Sequence, residues 1–135
     1  MVRPLLLAIS LAGMLLVLSL TRTADADERP DITNIGFVLY TKSYAPGTLN
    51  ARWMSTDKYK GPGIATGGPA EGYAGKYHVR YFYDSGEFSD EYDLIIENTE
   101  DVYRAYWLVD GETRAIGVGM EVENGLAIGW RRVTN

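Results

Sequence analysis

Between residues 77 and 133 the chain runs in short apolar–polar alternations, and two joints between runs are Asp110-Gly111 and Asn124-Gly125. Period two marks a half-buried strand. Asp-Gly or Asn-Gly between such runs favours a two-residue hairpin whose central residues take positive φ. Tyr77, Val79, Tyr81 and Tyr83 alternate with Lys76, His78, Arg80 and Phe82, and Asp84-Ser85-Gly86 turns the chain. Residues 92–97 (YDLIIE) return, NTED turns again, and residues 102–109 (VYRAYWLV) follow. ETRAIGVGMEVE and LAIGWRRV complete five successive strands. Tight joints between them leave one arrangement, an antiparallel meander.

Upstream the pattern is weaker but of the same kind. Residues 34–40 (NIGFVLY) read as a strand, Ala45-Pro46-Gly47 as a turn, and residues 48–54 (TLNARWM) as a second strand. Residues 61–75 hold six glycines and two prolines, a composition that penalises and breaks a helix. They predict a short strand around Ile64 and a mobile loop over residues 66–71. The expected fold is all-β: an antiparallel meander closing into a small barrel of about eight strands, or a tight sandwich. A faint internal echo sets Trp53 against Trp107, Gly61-Pro62-Gly63 against Gly117-Val118-Gly119, and Gly75 against Gly129. Two similar halves suit either architecture.

Gly117, Gly119 and Gly129 raise the question of a phosphate loop. Such a loop lies between a strand and a helix, whose N-terminus holds the anion. No helical pattern follows these glycines, so they are expected to shape a sheet. Two-residue hairpins at both joints would pair Trp107 with Arg114 and Gly119 with Trp130. That register puts Ile116, Val118, Met120, Val122 and Val133 on the core face with Tyr103, Ala105 and Trp107, interrupted by Arg114 and Arg131. Trp130 would then lie over Gly119 on the other face, an aromatic ring covering a strand glycine.

Residues 1–26 belong to a separate argument. Arg3 precedes an almost unbroken apolar run over residues 5–20, and Ala24-Asp25-Ala26 is a small-x-small cleavage pattern. These are the parts of a secretory signal peptide, which predicts a secreted or periplasmic protein without a membrane span after cleavage. Residues 27–135 are then one domain by length. The chain has no cysteine, so disulfides, the usual support of small exported domains, are not open to it. Removing Arg3, Arg22 and Asp25 leaves 17 acidic against 11 basic side chains, a charge of about −6. Nucleic acid is therefore not an expected partner, because phosphate binding needs clustered Lys and Arg.

His78 is the single histidine. With no cysteine beside it, neither a metal site nor a cofactor is expected, and no nucleophile motif accompanies it for a catalytic triad. It is expected on a strand surface beside Arg80. Asp84, Glu87, Asp90, Glu91 and Asp93 gather around one hairpin and are expected to be solvated. No catalytic residues emerge. The aromatic content, ten tyrosines and three tryptophans, points instead to stacking surfaces or a ring-lined cavity, although strands favour aromatics anyway. Trp53, Tyr81, Tyr103 and Trp107 are the candidate ligand-binding residues.

The Gly-to-Trp opening of residues 47–53 (GTLNARW), followed by the meander over residues 77–133, resembles the calycin group of small secreted barrels, which includes lipocalins and avidins. The lipocalin signature is a tight G-x-W, whereas five residues separate Gly47 from Trp53 here. The resemblance implies a small barrel. The function expected is non-enzymatic binding of a small apolar or aromatic molecule, or of an envelope protein. The rivals are a filled barrel with a structural or interaction role, and a carboxylate- or tyrosine-based enzyme.

Overall fold

The computed structural model describes residues 28–133; the expected signal peptide and its cleavage site lie outside them. Eight strands follow in chain order: β1 (Gly36–Lys42), β2 (Leu49–Ser55), β3 (Tyr59–Thr66), β4 (Gly75–Phe82), β5 (Phe88–Asn98), β6 (Tyr103–Val109), β7 (Glu112–Val122) and β8 (Gly125–Arg132). Each pairs antiparallel with the next, and β8 pairs with β1, closing an up-and-down barrel. All eight lie in one compact unit. The all-β meander read from the sequence is therefore present, in its barrel form. Closure leaves no sheet edge with unpaired backbone groups, a form of support open to a chain without disulfides.

The core is the barrel interior, reached by alternate residues of every strand. Val38 and Tyr40 enter from β1, Leu49 and Ala51 from β2, and Val79 and Tyr81 from β4. Leu94 and Ile96, Ala105 and Trp107, and Leu126 and Ile128 complete most of the ring. No buried side-chain nitrogen or oxygen among the described residues lacks a hydrogen-bond partner.

Two details of the expected register are overturned. Asp110 and Gly111 do form the expected turn, with φ of 50° and 79°. Between Trp107 and Leu108, however, a bulge shifts the ladder, so that Trp107 faces Ala115 rather than Arg114. The unshifted register would have aimed the Arg114 guanidinium at the core, where an unpaired charge is costly. The bulge sends it to solvent, and every later residue of β7 changes face. Ala115, Gly117 and Gly119 point inward, while Val118, Met120, Val122 and Val133, expected in the core, are exposed.

The second correction concerns Asn124-Gly125. Only Asn124 takes positive φ, 63°, and Val122 pairs with Gly125. The loop is thus Glu123-Asn124, one residue earlier than expected. Trp130 consequently sits opposite Gly117 on β7 and Gly36 on β1, not opposite Gly119. Trp130 lies inside, with a glycine opposite it on each neighbouring strand and its ring over Gly36. A Cβ on Gly36 would fall 2.2 Å from Trp130 Cζ2. A Cβ on Gly117 would meet Ile128 Cγ2 at 2.8 Å and Trp107 Cζ3 at 3.1 Å. Gly119 is required by the backbone itself, since its Cβ would lie 2.2 Å from the Ala127 carbonyl. Gly129 faces outward, and a Cβ there would meet nothing.

The glycine-rich segment is also more ordered than its composition suggests. β3 runs a full eight residues, and the following loop is held against one end of the barrel. Gly68 N donates to the Gly47 carbonyl (3.0 Å), the Tyr77 hydroxyl donates to the Tyr73 carbonyl (2.8 Å), and Lys42 Nζ donates to the Gly72 carbonyl. Tyr73 packs against the core, with the Lys42 ammonium 5.0 Å from its ring centre.

Candidate functional site

The opposite end, where β1, β3, β5 and β7 begin, opens into a cavity of about 310 Å³, at the lower limit of ordinary small-molecule sites. All three tryptophans of the chain line it. Trp53 comes from β2, Trp107 from β6 and Trp130 from β8; Tyr81 and Tyr92 enter from β4 and β5. Each is an inward residue near the same end of its strand, which is why residues far apart in sequence meet. Tyr59 and Tyr83 stand at the mouth.

The rings are fixed by hydrogen bonds and by one another. The Trp53 indole N–H is shared between the carbonyls of Pro62 (3.1 Å) and Phe82 (3.0 Å). At the floor, Trp107 Nε1 donates to the Tyr81 hydroxyl (2.8 Å), which lies 2.5 Å from the Tyr40 hydroxyl. The Trp53 ring centre is 6.1 Å from Tyr81 and 5.8 Å from Tyr83. Tyr92 stands 6.2 Å from Tyr81, and Trp130 stands 6.5 Å from Trp107. Interplanar angles of 55° to 67° tilt these walls around a volume instead of stacking them flat.

Two opposite charges complete the lining. Asp90 Oδ2 accepts a hydrogen bond from the Tyr92 hydroxyl at 2.5 Å and lies 3.9 Å from Arg132 Nη2. Burial, followed by the bond to Asp90, pushes Tyr92 up to about 12. Burial likewise holds Tyr40 and Tyr81 well above the ordinary tyrosine range. These phenols therefore stay protonated at neutral pH and are available as hydrogen-bond groups.

Of the four candidate residues, Trp53, Tyr81 and Trp107 line this one cavity. Tyr103 does not: its hydroxyl donates to the Glu121 carboxylate and accepts from Asn98 Nδ2 at 3.4 Å. The Glu121 bond, more than burial, raises Tyr103 to about 12. Trp130, Tyr92, Asp90 and Arg132 were missed. The unshifted register puts Trp130 on the outer face. Asp90 was read as part of a solvated acidic turn, although Asp90, Tyr92, Leu94 and Ile96 share one parity and would have placed it inward.

His78 lies on the outer surface of β4, as expected, with Nε2 2.7 Å from Glu91 and Nδ1 3.4 Å from Asp93. Among the described residues no three acidic or histidine side chains converge on a metal-sized site. No helix of the described residues is long and apolar enough to cross a membrane. No protein family, curated protein or solved structure matches the chain.

Proposed function

We propose that the protein is exported and binds a small, largely apolar molecule in the aromatic cup without chemically converting it. The observation that carries this reading is the convergence of all three tryptophans, with Tyr81, Tyr83 and Tyr92, on one open-ended cavity. Rings at a protein surface are exposed to water at a cost unless something covers them. A closed lower end and an open upper end suit a ligand that enters and leaves from one side. The eight-stranded closure supports a calycin-like relationship of architecture, and the signal-peptide pattern of residues 1–26 supports a secreted or periplasmic location.

The non-enzymatic part of the reading rests on the lining. Its phenols are held protonated, and among the described residues its charged lining groups are Asp90 and Arg132, which face each other.

Native mass spectrometry of the protein isolated from its own envelope tests the assignment directly. A retained small molecule, lost in a Trp107→Ala variant that still folds, is the expected result. A ligand-free protein whose tryptophan fluorescence no envelope extract changes would defeat it. N-terminal sequencing of the same material should begin at or near Asp27; an intact Met1 would overturn export with cleavage.

A second reading has one specific observation in its favour. Met54, Phe37, Gly129 and Val118 stand side by side across the outer face of β2, β1, β8 and β7. Three of them are exposed apolar side chains, which suits contact with an envelope protein. Phe37→Glu should abolish such a contact in a cross-linking experiment while leaving ligand binding in the cup unchanged.

A further inference from the structure

The cup carries information about the charge of what it takes. Four observations agree. Its walls are built mainly of aromatic side chains, a residue type whose ring faces attract cations and disfavour anions. They are mutually tilted by 55° to 67°, so they box in a compact, three-dimensional group better than they sandwich a flat one. The two charged lining residues are unequal: the Asp90 side chain is 34 % exposed and Arg132 is 57 % exposed. Asp90 is also anchored by the Tyr92 hydroxyl. Arg132 projects from the last residue of β8 on a long flexible stem. The fixed charge is negative and the movable one positive. Finally, the Arg132 guanidinium stands 3.9 Å from Asp90, so a cation already faces this carboxylate.

We propose that the cup binds an organic cation, a substituted ammonium on an apolar body, with Asp90 as its counter-charge and Arg132 as the group it displaces to solvent. This rests on the ligand-binding reading above. Entry of the ligand exchanges one cation at Asp90 for another, so the carboxylate is never left unpaired. An anion would instead need Asp90 to turn away from Tyr92 into a ring-lined, poorly hydrated space. The net charge of about −6 expected after cleavage also favours the approach of cations over anions.

The test uses three probes of similar size: 4-hydroxyphenyl-trimethylammonium, its neutral isostere 4-tert-butylphenol, and 4-hydroxybenzoate. Calorimetric titration of the purified protein should show the ammonium binding about tenfold or more tightly than the isostere. Asp90→Asn should bring the ammonium's affinity down to that of the isostere, with an unchanged circular dichroism spectrum showing that the variant keeps its fold. Arg132→Gln should tighten the ammonium, because its internal competitor is gone. Equal binding of ammonium and isostere, or tighter binding of the benzoate, overturns the charge assignment and leaves the ligand-binding reading standing. Failure of all three to bind overturns both.

Discussion

Trp130 lies between two glycines, and that placement can be measured. A methyl group at Gly36 would fall 2.2 Å from Trp130 Cζ2 and 2.8 Å from the Met54 carbonyl oxygen. Gly36 is not among the residues with positive φ, so alanine is acceptable to the backbone and the conflict is purely steric. Overpacking of this kind costs about 1–3 kcal/mol. Trp130→Ala should cost about 3 kcal/mol, the low end for a buried tryptophan, because the ring is only partly buried and one side faces the cup. In the double variant the ring conflict disappears and only the contact with the Met54 carbonyl persists. The two losses should therefore fall short of their sum by about 1 kcal/mol or more.

Urea titration followed by circular dichroism resolves this, since 2 kcal/mol moves the midpoint by about 1 M for a small domain. Gly129→Ala is the internal control. It lies in the same strand, and its added Cβ meets nothing. It should be neutral or gain up to about 0.5 kcal/mol from reduced chain entropy. Additivity of Gly36→Ala and Trp130→Ala within about 0.3 kcal/mol would refute the pairing, and a destabilised Gly129→Ala would show that β8 has the wrong face outward.

Tyr81→Phe should cost about 1–3 kcal/mol, because it leaves the Trp107 N–H and the buried Tyr40 hydroxyl short of a partner; a loss below about 0.5 kcal/mol in denaturant would argue against that network. His78 is raised by its bond to Glu91 and then by that to Asp93. Its charged form therefore stabilises the fold below the unfolded value of about 6.5, and the contribution fades as pH rises through the raised folded value. His78→Gln should thus cost a few tenths of a kcal/mol near pH 5 and nothing near pH 9, the pair being half exposed; a pH-independent loss would show a different role. In amide exchange, Gly68, whose N–H donates to the Gly47 carbonyl, should be protected and Ser85, in the exposed turn between β4 and β5, should not; equal exchange at both would mean that the β3–β4 loop does not close the barrel.

The all-β meander was legible because alternation and turn residues are local signals, carried by strands such as Tyr77 to Tyr83 without reference to anything distant. Register was not, because a single extra residue reverses every face beyond it. The warning was nevertheless present. An unshifted pairing of β6 with β7 set Arg114 opposite Trp107 in the core, and a bulge is the least disruptive way to release a charge from that position. The same reversal hid the site. Once Gly117 is inward, Trp130 and Ile128 are inward too, and the third tryptophan joins the other two. The echo between the halves fits this arrangement: Trp53 and Trp107 lie on β2 and β6, strands separated by half the barrel.

The ends of the barrel differ for a reason that composition concealed. At the open end the turns between strands are short, with only Asp110-Gly111 between β6 and β7, and none of these turns is long enough to fold over the rings. At the other end residues 67–74 connect β3 to β4. Six glycines and two prolines in residues 61–75 suggested mobility, yet those same small residues let the backbone lie directly on the core. A Cβ on Gly68 would sit 2.0 Å from the Tyr77 ring, and one on Gly47 would sit 2.5 Å from the Gly68 carbonyl. Missing side chains thus allow close approach as well as freedom, and contacts distant in sequence decide which of the two prevails. Here Tyr73, Tyr77 and Lys42 decide it, closing one end and leaving the aromatic cup as the face open to a ligand.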